Sequence, residues 1–235
     1  MHSFSILKLY SVPSVQECHL LLSRLSPGAH VAAIAMQGTP YHRIAVNMED
    51  AGFEIRDQII WVAEIHVSIA LARKPLAEKT VAQNILKYGT GGLNVDACRI
   101  GTTDKLGGGS RSGPTTCADG WGRPWRHDIN KRDLYATHAE SKIAQAETMG
   151  RFPANVILTK EAGGRVDEQS GHSAGHQRVA KRSAKKTTQV YGGFLSGQRS
   201  VLQGYSDSGG ASRFFKWCDN ETELIEYLTT LLQPV

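Results

Sequence analysis

Between Glu168 and Asp207 the chain carries no acidic residue, while Arg178, Lys181, Arg182, Lys185, Lys186 and Arg199 lie there with His172 and His176. A segment with that charge balance has the electrostatics to follow a phosphate backbone, and each phosphate it neutralises releases counterions and steepens salt dependence. The same serine- and glycine-rich composition also suits a solvated charge run, and the sequence leaves both readings open. A second cluster, Trp121-Gly122-Arg123-Pro124-Trp125-Arg126-His127, interleaves aromatic rings with cations. Such a pattern suits base stacking and a backbone grip through Arg123 and Arg126. Equally, the two tryptophans could anchor a long loop to the core. The candidate DNA-binding residues are therefore Arg123, Arg126, Arg178, Lys181, Arg182, Lys185 and Lys186.

Other chemistry finds less support. His172 and His176 stand four apart without an H-E-x-x-H glutamate, in a glycine-broken segment, so no metal ligand is assigned. Cys98, Cys117 and His127 lack zinc-site spacing, and none of the nine histidines accompanies a nucleophile elbow. The glycine runs Gly89–Gly92 and Gly107–Gly109 match neither G-x-G-x-x-G nor a phosphate-binding loop, and read as flexible connections. Tyr41-His42-Arg43, opening a helix after a strand, occupies a place where α/β sheets often bind ligands, but packing on the sheet edge explains it as well.

At 235 residues the chain can bury a core as one domain, or one domain with an appendage. An apolar content of 40% with 24 glycines points to long irregular segments, and the net charge of +5 is modest. The four cysteines form no C-x-x-C pair, which fits reduced thiols in a cytoplasm. Ser3–Leu9 is too short for a secretory leader, and no apolar run approaches about 18 residues, so no membrane partner is expected.

The elements that position these residues follow from punctuation and period. Ser14-Val15-Gln16-Glu17 is a capping box, after which Val15 to Leu25 gives an apolar helical stripe stopped by Pro27-Gly28. His30–Met36 reads as a strand buried on both faces of a parallel sheet. Thr39-Pro40 opens a helix with Pro at its first position, and Gly52 closes it. Phe53–Val62 and Ile65–Ala72 are strands with only Ala63-Glu64 between them, which predicts an antiparallel hairpin. Further on, Lys79–Tyr88 reads as a helix, Leu93–Ile100 and Asn155–Leu158 as strands, and Ala139–Thr148 as a helix in an otherwise loop-like stretch. Gly163–Gly210 reads as loop, and Asp219-Asn220 caps a final helix with Leu224, Ile225, Leu228, Leu231 and Leu232 on one face.

Eight collinear blocks resemble the phage and bacterial DNA amino-methyltransferases of the permuted type, which modify adenine N6 or cytosine N4. They are Leu25–Ile34, Tyr41–Arg43, Glu49–Trp61, Ala72–Leu76, Asn84–Asp96, Gly150–Leu158, Glu168–Ser173 and Gly209–Phe215. The resemblance implies an α/β fold: a partial Rossmann-like sheet ending in an antiparallel hairpin, over residues 1–76. An irregular, loop-rich recognition region would follow over 77–215, and a closing helix over 216–235. It also implies S-adenosylmethionine as the family's cofactor and duplex DNA as the partner.

The chain departs from the family pattern at the reaction centre. Such enzymes carry a D-P-P-Y-type tetrapeptide ahead of the helix that starts after Ser14, to hold the flipped base and its amino group. The eight prolines here are all isolated, and only thirteen residues precede Ser14. The glycine-rich F-x-G-x-G turn that approaches the cofactor should follow the final helix, where the chain reads Gln233-Pro234-Val235. Methyl transfer needs the sulfonium carbon in line with the amino nitrogen. No catalytic or cofactor-binding residue is therefore assigned, and activity is expected only with a complementing chain, if at all. The alternative is a non-enzymatic DNA-binding derivative. The strand at His30–Met36 would expose an apolar edge unless a partner, a homodimer or Met1–Tyr10 covers it; Phe4, Ile6, Leu7 and Leu9 could make that strand.

Overall fold

The computed structural model describes residues 2–102, 104, 141, 143–174 and 208–233. The chain divides into two compact units, one of Met1–Ile100, Phe152–Gly171 and Gly210–Val235, the other of Gly101–Arg151 and His172–Gly209. The first unit contains β1 (His2–Leu9), α1 (Val15–Arg24), β2 (Leu25–Ala35), α2 (Tyr41–Asp50), β3 (Glu54–Val62), β4 (His66–Arg73) and α3 (Val81–Tyr88). In the second unit, residues 143–149 form a helix, α4, capped by Gly150 N–H on the Ala146 carbonyl. The first unit resumes with β5 (Val156–Leu158) and α5 (Lys160–Ser170). A short antiparallel pair, β6 (Ser173–Ala174) with β7 (Ser208–Gly209), belongs to the second unit, where Arg151 is also ion-paired with Asp104. Finally, β8 (Lys216–Trp217) and α6 (Glu221–Leu232) complete the first unit.

The fold is α/β, with a six-stranded sheet in the order β1-β2-β4-β3-β5-β8. All neighbours pair in parallel except β4, which runs antiparallel to both β2 and β3. That reversal follows from local sequence. Only Ala63, Glu64 and Ile65 join β3 to β4, too few for a crossover, and Ala63 N–H closes the turn on the Ile65 carbonyl at 3.1 Å. The expected antiparallel hairpin is thus present, and β4 inserts between β2 and β3 rather than extending the sheet.

One face of the sheet packs on α1 and α2 around Val31, Ala33, Ile44, Met48 and Phe53. The other packs on α6, whose Leu224, Leu228, Leu231 and Leu232 meet Ile34, Ile59, Ile69 and Ile157. β2 shows why its sequence is continuously apolar: Ala29 to Ala35 is buried on both faces. The capping box forms as read, with Ser14 Oγ accepting from Glu17 N–H and the Glu17 carboxylate accepting from Ser14 N–H at 2.7 Å. Gly52, at φ +97°, closes α2, with Gly52 N–H on the Glu49 carbonyl and Phe53 N–H on that of Met48.

Several boundaries differ from the sequence reading. α1 ends at Arg24, and Pro27-Gly28 lies inside β2, at a break in the β1–β2 register between His2 and Phe4. Pro40 is the N-cap of α2 rather than its first helical residue. Leu93–Ile100 is not a strand but contains a 3-10 turn at Asp96–Cys98, because Asn94 N–H is drawn to the Leu231 carbonyl of α6 and Asn94 Oδ1 accepts from Ala97 N–H. Gly163–Gly210 is not all loop: it begins within α5, where Gly163 is required because the Trp217 ring lies 3.0 Å from where its Cβ would be.

The strand ends opposite the hairpin turn are knotted together. Asn84, fully buried, donates through Nδ2 to the carbonyls of Pro27 and Thr90, both at 2.8 Å, and accepts from Ala77 N–H through Oδ1. Lys74 Nζ donates to the carbonyls of Leu22 and Leu25, and Gly28 N–H to those of Lys74 and Pro75. The Gly89–Gly92 run is part of this knot rather than a flexible connection. Gly89 is the left-handed cap of α3, and a Cβ on Gly91 would press on Leu76 and Asn84.

His30 is buried at the same end, facing Arg73, Arg56 and Glu54. Burial first, then the charges of Arg73 and Arg56, lower its pKa to about 4, with Glu54 acting in the opposite sense. A depressed histidine pKa stabilises the fold fully above the unfolded value near 6.5, and that stability is lost as pH falls toward 4. The urea midpoint is expected to drop across this window, by a free energy of about 3 kcal/mol. His30→Gln should flatten it, and an unchanged profile in the variant contradicts the assignment. Asp167 and Glu17, whose carboxyls are held below their usual range by hydrogen bonds from Ser212 and Ser14, add stability that is kept above their ordinary values and lost only as pH falls below about 4.5.

Candidate functional site

In an open α/β sheet, ligands bind beyond the carboxyl ends of the parallel strands. Here β2 and β3 end on the same side of the sheet, flanking the start of β4, and beyond them opens a cleft of about 780 Å³. Its walls are the β2–α2 loop from Met36 to Tyr41, the hairpin turn from Ala63 to His66, and one face of α5 presenting Glu161, Arg165 and Gln169.

Each wall is held by identifiable contacts. Leu9, the last residue of β1, accepts through its carbonyl from Met36 N–H at 3.0 Å and from Thr39 Oγ1 at 3.1 Å, which fixes the β2–α2 loop. Thr159 caps α5 by accepting from Ala162 N–H, and Asp219 accepts from Lys160 N–H at 2.6 Å. Asp167 anchors the far side of α5 by accepting from Ser212 N–H and Oγ, both at 2.7 Å.

The cleft's groups are hydrogen-bonding rather than nucleophilic. Burial, then the charge of Asp57, raises the Tyr41 phenol pKa, so Tyr41 stays a protonated donor at neutral pH. Glu161 and Arg165 pair at 2.6 Å on the exposed face of α5. An exposed i,i+4 pair of this kind is worth at most about 1 kcal/mol, so both side chains can turn to a ligand. Among the described residues no group of three or more His, Cys, Asp or Glu can hold a metal ion.

The turn leaving β1 ahead of α1, where the resemblance implies the target-amine tetrapeptide, reads Tyr10-Ser11-Val12-Pro13. Asn47 Nδ2 clamps it by donating to the Pro13 carbonyl at 2.8 Å, and Tyr10 is 74% exposed. The turn offers a phenol and a hydroxyl but no carboxylate or amide.

Of the sequence-derived site residues, Tyr41 lies in the cleft wall. Arg123, Arg126, Arg178, Lys181, Arg182, Lys185 and Lys186 lie outside the described residues, as does the Gly107–Gly109 run. Glu64 does not stand out in the sequence, which reads there only as a short turn, nor do Glu161, Arg165 and Gln169, since most of α5 reads as loop. The signal that could have found them is Thr159, a helix-capping residue directly after the short strand β5.

Among the described residues no helix is long and apolar enough to cross a membrane. No family model matches the chain, and no curated protein matches it. Among solved structures it is similar to a protein from Thermus thermophilus that carries the provisional name DNA modification methylase. The TM-score is 0.24 and the identity 19%, over 34% of this chain and 49% of that one, a likeness too slight to carry an argument.

Proposed function

We propose that this chain is a DNA amino-methyltransferase-lineage protein, of the adenine-N6 or cytosine-N4 kind, that keeps scaffold and DNA-holding parts without a working methyl-transfer centre. The observation that carries this reading is the reversed strand β4 between β2 and β3, in a sheet otherwise parallel. The antiparallel hairpin of β3 and β4 is what the eight sequence blocks imply; the insertion of β4 beside β2 goes beyond them. The turn Tyr10–Pro13 supports the second half of the proposal, since it has no side chain able to hold a target amino group in the manner of the family tetrapeptide. Among the described residues no glycine turn of the cofactor-binding kind is found: Gly91 of the Gly89–Gly92 run packs on Leu76 and Asn84.

The chain then acts with a complementing chain that brings both motifs, or as a non-enzymatic DNA-binding derivative that masks sites or recruits a partner. The acid-free stretch between Glu168 and Asp207 favours DNA contact in either case. The test is fluorescence anisotropy on duplex DNA at two salt concentrations. Binding is expected to weaken steeply with salt. Exchanging Arg178, Lys181, Arg182, Lys185 and Lys186 for glutamine should reduce the log–log slope by up to about 4.5. Salt-independent binding, or a slope unchanged in the variant, overturns the DNA assignment.

A further inference from the structure

The two edges of the sheet are built differently. At one, β8 is two residues long and carries Lys216, a short and charged edge that resists further pairing. At the other, β1 is eight residues long with no proline, and its one Lys or Arg, Lys8, is ion-paired to Glu221 of α6. None of the eight is buried, although Phe4 and Ile6 reach the α6 side of the core and Leu7 and Leu9 the α1–α2 side. Among the described residues no strand pairs with the outer side of β1.

The backbone direction of that edge can be read from one bond. Leu9 accepts from Met36 N–H, so its N–H and carbonyl face β2. Alternation then turns Leu7 and Ser5 toward β2 and leaves the N–H and carbonyl of Phe4, Ile6 and Lys8 pointing outward. An isologous antiparallel pairing needs such outward residues to face each other across a two-fold axis. With the axis at Ser5, Phe4 stands opposite Ile6 of the other copy, twice, on the α6 face. Ser3 stands opposite Leu7 on the other face. That register stacks an aromatic ring on a β-branched chain and sets Lys8 opposite His2 of the other copy, with Lys8 already paired to Glu221 and an imidazole ordinarily neutral at neutral pH. A two-fold perpendicular to the sheet also keeps each helical layer continuous with its counterpart.

We propose that the outer edge of β1 pairs with β1 of a second copy, centred on Ser5, joining two six-stranded sheets into one. The proposal rests on the edge's geometry and not on the methyltransferase reading. Ser5 pairs with its own copy at a non-hydrogen-bonded position, where Cα atoms approach to about 4.5 Å. That spacing suits a disulfide.

The experiment uses the full chain with Cys117→Ser; Cys18, Cys98 and Cys218 are buried. Light scattering is expected to give twice the chain mass of 25.6 kDa. Ser5→Cys, treated with oxidised glutathione, should yield a covalent dimer on a non-reducing gel, and Ile6→Cys should not. Ile6→Pro removes an outward N–H together with part of the Ile6 packing on the α6 side of the core, and should give a monomer that circular dichroism shows to be folded. A wild-type monomer at every concentration up to the solubility limit overturns the proposal. Cross-linking through Ile6→Cys in preference to Ser5→Cys overturns the register.

Discussion

Asn84→Leu is expected to destabilise the first unit by about 4 kcal/mol, a large share of a typical domain's stability. Leucine matches the branching of asparagine but is larger, so overpacking against Gly28 and Gly91 adds to the polar loss. Ala77 N–H loses its acceptor and the Thr90 carbonyl its donor, while Pro27 retains the hydroxyl of Thr90. Thr90 is buried, so its stranded carbonyl carries most of the polar cost, and the N–H of the exposed residue Ala77 adds less. Gly28→Ala should act on the same knot. Its φ is +80°, and a Cβ there would stand 2.6 Å from Asn84 Nδ2 and 3.0 Å from the Gly91 backbone. Because both changes break one network, the double variant should lose less than the sum of the singles. Urea denaturation checks this, and a wild-type midpoint for Asn84→Leu contradicts it.

Leu228→Ala should cost about 3 kcal/mol by the same measurement. Leu228 is fully buried at the centre of the α6 face, among Leu224, Leu231 and Leu232, against strands from both halves of the sheet. Leu86→Ala is the control: Leu86 is 88% exposed on α3, and its removal should change stability by no more than about 0.5 kcal/mol. Equal effects at the two positions would contradict the placement of α6 over the sheet.

The fold was legible wherever local signals and tertiary demand agreed. The Ser14–Glu17 box, the Gly52 cap, the hairpin turn at Ala63–Ile65 and the Asn220 cap each solve a local backbone problem with side chains nearby in sequence. Asn220 Oδ1, for instance, accepts from Glu223 N–H at 3.0 Å. The strand at His2–Leu9 was also legible, through the apolar edge that His30–Met36 needed covered. Failures arose where the deciding partner was remote. Leu93–Ile100 alternates like a strand, yet Leu231 captures Asn94. Gly163-Gly164 breaks a helical pattern, yet Trp217, more than fifty residues later, needs that bare surface.

The candidate site was less legible, for a related reason. Three of the resemblance blocks, Leu25–Ile34, Ala72–Leu76 and Asn84–Asp96, converge at the knot of Pro27, Gly28, Lys74, Asn84 and Gly91. That knot lies at the amino-terminal end of β2, away from the cleft at its carboxyl end. The resemblance therefore points mainly to scaffold. The cleft takes its charged groups from the hairpin turn and α5, whose Glu64, Glu161 and Arg165 carry no motif. Only Tyr41 stood out beforehand, through its place at the start of a helix after a strand.

The central proposal is that this chain keeps a methyltransferase-like scaffold and does not bind S-adenosylmethionine by itself. Calorimetric titration of the purified chain with S-adenosylmethionine, beside a titration with duplex DNA, tests it directly. The account predicts no saturable heat with the cofactor and salt-sensitive heat with DNA. Saturable, stoichiometric binding of S-adenosylmethionine to the chain alone would contradict it.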